Sequence, residues 1–201
     1  KEILQLWKRV LKRVDVTSRS LVALIEHGSC FAGVLAELLW AVDRSYMMED
    51  VFEGDVRSMA TITLSDSNFG RFPMANALTR LETRFLGTPE IPDQLKQLGG
   101  TPLEAEAANE NGLVTDIYDD IDWEDEIRIF LEERASFSPD ALTGMEANLR
   151  FPGPETMETR IFGRLTAWQN WIFQRPNAVG ETGALQRYGT GVRGTYNMER
   201  V

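Results

Sequence analysis

Residues 25–47, IEHGSCFAGVLAELLWAVDRSYM, decide how the rest of the chain is read. The apolar run Leu21 to Ile25 meets a turn of small residues, His27, Gly28 and Ser29, and a strongly apolar helical segment is expected from Phe31 to near Asp43. A strand that stops at such a turn and feeds a helix leaves backbone N–H groups free at the helix start, where a carbonyl oxygen or a phosphate can be held. The flanking sequence is then material that supports this turn from either side.

The chain has 201 residues, 43% hydrophobic and 26% charged, which fits one soluble domain of ordinary size able to bury a core. A net charge of −10 excludes a nucleic-acid binder, which needs a basic face to displace counterions. No apolar run reaches the roughly 18 residues of a membrane span, so no membrane partner is expected. The single cysteine, Cys30, has no internal partner and fits a reducing, cytoplasmic setting. With one histidine, His27, no His-rich metal site is expected, no cofactor is implied, and acid or base work falls on carboxylates.

Outward from the central stretch, residues 2–14 place Ile3, Trp7, Val10, Leu11 and Val14 at helical spacing, an amphipathic helix. Arg44 to Met48 reads as a short strand, Glu49 to Ser58 as an exposed loop, and Met59 to Leu64 as a second good strand. Pro73 suits the first turn of a helix over 74–86, stopped by Gly87. A helix is expected from Thr101 and Pro102 to Gly112, then a strand over 113–115, then helices over 123–135 and 139–150. A long helix over 154–174 is expected to bury Met157, Ile161, Phe162, Leu165, Trp168 and Ile172, and 175–201 to form an irregular tail. The acidic run from Asp119 to Glu126 lacks the glycine and the spaced glutamate of a calcium loop and reads as a solvated helix start.

The order of elements resembles the crotonase (enoyl-CoA hydratase/isomerase) superfamily. The residues that carry this are the strand LVALIEHGSC with its turn, the helix ending at Asp43, the loop SDSNFGRFPM, the helix ending LTRL, and Ala107 to Val114, AANENGLV. The resemblance implies a partial crotonase-like (ClpP/crotonase) α/β core over 1–115, whose N-terminal part lies upstream of Lys1, a helical region over 116–174 and a tail over 175–201. Longer strings, among them DVTSRSLVALIEHGSCFAG and DDIDWEDEIRIFLEERASFSPDALTGMEANLRF, look like the C-terminal half of a ring-opening acyl-CoA lyase of that superfamily. They imply ring opening on a CoA thioester with loss of formate, a homo-oligomer, and an N-terminal crotonase-like half as partner.

In the crotonase pattern the first catalytic glutamate stands six residues before the closing Asp, which is Glu37 before Asp43 here. The oxyanion-hole N–H falls at Val34, where the family has Gly, and the second carboxylate at Asp66, where it has Glu. A carboxylate at Glu37 could activate water beside a thioester; equally, it could be a polar residue on an internal helix face, bonded to a neighbour. Ser65, Asp66, Ser67 and Asn68 are turn formers that need no substrate. Trp168 and Trp171 read as packing or a binding box, and Arg160, Arg164, Arg175 and Arg187 could meet CoA phosphates. Two readings follow: a structural partner of a catalytic half, or an acyl-CoA site in its own right using Glu37 and Asp66.

Overall fold

A computed structural model describes residues 1–50, 54 and 56–200. It divides into two compact units, residues 1–15 with 21–125, and residues 16–20 with 126–201. Of the loop expected over 49–58, residues 51–53 and 55 lie outside the described residues.

In the first unit, α1 (Glu2–Asp15) buries Leu11 and Asp15. β1 (Val22–Ile25) and β2 (Arg44–Met48) pair in parallel, Val22 opposite Arg44 and Ile25 opposite Met47. β2 then pairs in parallel with β5 (Asp116–Tyr118), Tyr46 opposite Asp116, so β2 is central and Ser45 to Met48 are all buried. A strand covered on both faces reads as a continuous buried run, which is why RSYMM lacks alternation. Asp43 fixes where β1 begins: its Oδ2 accepts from the Leu21 N–H at 2.6 Å, and its own N–H donates to the Leu21 carbonyl at 2.9 Å.

The chain from 31 to 43 is not the α-helix its apolar run suggests. It is a 3-10 helix, Gly33–Trp40, entered through Gly33 at φ +53°. Its apolar residues supply the core, where Ala36, Leu39 and Trp40 pack with Ile25, Met47, Ile62, Leu64 and Leu113. The Trp40 indole N–H donates to the Leu113 carbonyl at 3.3 Å, so this large side chain is buried with its donor satisfied.

Only Ile62–Thr63 (β3) of the expected strand forms a ladder, antiparallel to β4 (Pro102–Leu103). The Thr63 N–H reaches the Phe31 carbonyl at 3.1 Å and so ties β3 to the central turn. The helix expected over 74–86 is reduced to α2 (Arg80–Arg84). Residues 74–78 instead close a reverse turn, Met74 N–H to Leu78 carbonyl at 2.8 Å, with Ala77 at φ +69°. Thr79 starts α2 with a reciprocal capping box to Glu82. α3 (Ile91–Leu95) and α4 (Ala105–Glu110) complete this unit, and α4 stops at Gly112, φ +66°.

α5 (Trp123–Ser136) leads into the second unit, which holds α6 (Pro139–Leu149), α7 (Met157–Arg160), α8 (Thr166–Ile172), α9 (Pro176–Val179) and α10 (Ala184–Arg187). A π-helical stretch, Ile161–Leu165, joins α7 to α8. The face expected to be buried there is open: Met157 and Phe162 are each 73% exposed, and Leu165 is also exposed. Trp168 packs against Gly144 of α6 instead. The stretch after Gln174 holds the two short helices α9 and α10. Asn177 pairs with the backbone of Asn197, donating at 3.0 Å and accepting at 2.8 Å, as a strand neighbour would.

Candidate functional site

The turn after β1 is closed by Ser29, whose Oγ accepts from the Glu26 N–H at 3.0 Å while its own N–H returns to the Glu26 carbonyl at 3.0 Å. Gly28 in this turn takes φ +76°, a conformation other residues resist. His27 is buried with Nδ1 at 3.0 Å from the Ser58 carbonyl, and Cys30 is exposed. Val34 is half-buried in the first turn of the 3-10 helix, directly after Gly33.

Glu37 lies inside the first unit at the centre of a polar network. Asp15, Glu37, Asn68 and Arg80 are each 1% exposed. The Asn68 amide donates to Glu37 Oε1 at 2.8 Å and to the Gly33 carbonyl at 2.9 Å. Arg80 Nη1 donates to Glu37 Oε2 at 3.0 Å and to the Phe72 carbonyl at 3.0 Å. The same guanidinium forks onto Asp15, Nε to Oδ1 at 2.9 Å and Nη2 to Oδ2 at 2.6 Å. One cation therefore serves two buried carboxylates, and both Glu37 oxygens are occupied by fixed donors. Such pairs persist in a low-dielectric interior only with this degree of hydrogen bonding.

Asp66 is placed differently. It opens the 3-10 turn Asp66–Asn68 and its side chain is exposed. That turn is a capping box in which Asn68 Oδ1 accepts from the Ser65 N–H at 2.9 Å. The loop thus brings Asn68 to Glu37, and Asp66 to solvent.

Burial pushes the Glu37 carboxyl above the usual carboxylate range, against the pull of the Asn68 amide and the Arg80 charge. A folded-state pKa above the unfolded one means that the folded chain takes up this proton first as pH falls. Glu37 therefore adds stability that is fully present below the unfolded value near 4.5 and is lost as pH rises through the folded value. The stability difference between the wild-type chain and Glu37→Gln is expected to shift in favour of the wild type as pH falls from 7 towards 4, measured by urea unfolding at each pH.

The family resemblance singles out Glu37, and Asn68 reads from the sequence only as a turn former, while Arg80 and Asp15 give no sign of the network they join. Arg80 sits in TRLETR, where an arginine reads as a solvated helix residue, and Asp15 ends a helix where it reads as a connector. Three of the four arginines considered for phosphates are engaged within the chain: Arg164 donates to the carbonyls of Asn148, Arg150 and Phe151, at 3.0, 2.8 and 3.1 Å, and pairs with Glu155 at 2.7 Å. Arg160 also pairs with Glu155, at 3.4 Å, and Arg175 stacks over Trp171 at 4.8 Å.

The parallel strands, the turn and the buried glutamate that follows it define a crotonase fold. It superposes on an enoyl-CoA hydratase from Geobacillus kaustophilus with TM-score 0.71 at 13% identity, covering 98% of this chain and 68% of the other. An enoyl-CoA hydratase from Bacillus anthracis gives TM-score 0.70 at 16% identity, covering 97% and 69%. No family model matches the chain. Along its whole length the chain is 53% identical to benzoyl-CoA-dihydrodiol lyase of Aromatoleum evansii and spans 35% of that protein. It is a homologue of that lyase over the shared stretch, built on the crotonase fold. Among the described residues, no helix is long and apolar enough to cross a membrane.

Proposed function

We propose that this chain is the supporting, C-terminal crotonase-like half of a ring-opening acyl-CoA lyase. The whole enzyme acts on the epoxide or dihydrodiol of benzoyl-CoA and yields a didehydroadipyl-CoA semialdehyde and formate. The observation that carries the reading is the saturation of Glu37. A general base needs a water or substrate within about 2.6–3.2 Å, and both Glu37 oxygens face Asn68 and Arg80 instead. At the position of the family's catalytic glutamate this half keeps a carboxylate as an internal brace.

The partner is the N-terminal half of the same enzyme, which binds the CoA thioester and works in the cytoplasm as part of a homo-oligomer. The open apolar face of Met157, Phe162 and Leu165 supports a role in association, since a patch of this kind on a soluble protein marks an interaction surface.

In the full-length enzyme, Glu37→Gln and Asp66→Asn should each leave turnover within a few-fold of wild type, as formate release per folded molecule. Circular dichroism supplies the folded fraction. A loss of about 10²-fold in the folded Asp66→Asn protein would restore the acyl-CoA site reading, in which Glu37 and Asp66 handle water.

A further inference from the structure

The helical stretch that runs from Met157 through the π-turn Ile161–Leu165 to Ile172 is held to the second unit along one side. There Arg164 binds the carbonyls of Asn148, Arg150 and Phe151, and Trp168 packs on Gly144 of α6. Met157, Ile161, Leu165 and Phe173 stand exposed in a row of four-residue steps that only Gln169 interrupts, with Phe162 beside them. The π-turn straightens this row. The Thr166 N–H donates to the Ile161 carbonyl, an i→i+5 bond that spends more than four residues on the turn. Ile161 and Leu165 therefore stand nearly in line, where an α-turn of 3.6 residues would carry Leu165 about 40° further round. Irregular turns of this kind concentrate at functional positions.

The row reads alike from both ends. Met157 and Phe173 lie eight residues either side of Leu165, and Ile161 and Gln169 lie four. A two-fold axis through Leu165 sets that residue against its own copy and turns each Met157 towards the other copy's Phe173 end, with i±4 ridges meeting as in the commonest class of helix packing. Charge favours the same occupant. Copies of a chain carrying −10 repel each other, but residues 155–175 hold three arginines against two glutamates, so this stretch adds none of that repulsion. The exposed surface of the five apolar residues comes to roughly 500–600 Å² per copy, against the roughly 800 Å² per partner of a standard stable interface. That area suits a reversible pair.

We infer that this row is a contact between two copies of the chain, an isologous helix pair with Leu165 on the two-fold axis; the inference rests on the homo-oligomer read above and names its contact. Sedimentation velocity of the full-length enzyme tests it. Leu165→Asp, at an exposed position, should halve the mass and leave far-UV circular dichroism unchanged. In a Cys30→Ser background, Leu165→Cys should oxidise to a disulfide-linked pair on non-reducing gels, because a residue on the axis meets itself. Met157→Cys should not, since its two copies lie on opposite sides of the axis, about 24 Å apart, and a disulfide needs Cα atoms within roughly 7 Å. An unchanged mass in Leu165→Asp, no cross-link in Leu165→Cys, or an equally strong cross-link in Met157→Cys would each overturn the two-fold contact. Cover of the row by the N-terminal half would give the first two of these results. Formate release by the Glu37→Gln and Asp66→Asn enzymes, whose mass should stay that of wild type, tests the supporting role separately.

Discussion

Arg80→Met is expected to destabilise the first unit by about 3–5 kcal/mol, the typical cost of removing one partner of a buried ion pair. Met matches the arginine stem in length and packs well, so the loss isolates the charge. Without the guanidinium, Asp15 and Glu37 face each other's field inside the protein, and the Phe72 carbonyl loses its donor. Arg80→Lys should recover only part of the loss, because an ammonium cannot fork onto Asp15 while also reaching Glu37. Urea unfolding followed by tryptophan fluorescence measures both variants. A Met variant within about 1 kcal/mol of wild type would show that the network is not what joins α1, the 3-10 helix and α2.

Glu146→Gln should be the most damaging conservative change in the second unit, at about 2–4 kcal/mol. Glu146 is buried and accepts from the Ser20 hydroxyl at 2.9 Å as well as from Arg134 and Arg150. The amide keeps the shape and loses the charge to which Arg134 and Arg150 both bond. The side chains of Arg134 and Arg150 are 21% and 13% exposed, and the water this admits places the cost below that of Arg80→Met. Trp168 and Trp171, edge to face with ring centroids 5.2 Å apart, report unfolding of this unit through near-UV circular dichroism.

The legible part of the fold is the part set by neighbours in sequence. β1, its turn and β2 follow from short apolar runs meeting small residues, and α6 follows from Ser138 and Pro139 before an apolar period. The 3-10 form of residues 33–40 was hidden because an apolar run has no period to betray its pitch. The turn at Ala77 was hidden because a non-glycine residue with positive φ has no compositional mark. Glu37 was singled out by what the crotonase resemblance implies for a glutamate six residues before Asp43, but its environment was not legible. Its partners come from 31 and 43 residues away, and Arg80 meets Asp15 across 65. Which polar residues a core captures is decided by packing between elements, and local sequence carries little trace of it.

The pairing of β2 with β5 sets the order of assembly. Ser45 and Thr115, which exchange backbone and hydroxyl hydrogen bonds at the edge of that pair, are 70 residues apart. Closing so long a loop costs chain entropy before any strand contact repays it, and non-local parallel pairing of this kind slows folding. The β1–turn–β2 segment can condense early from contacts within about 25 residues, whereas β5 docks only after the chain between has collapsed. Mutations in the Ser45–Thr115 contact should therefore speed unfolding more than they slow folding, the mark of an interaction formed late on the pathway.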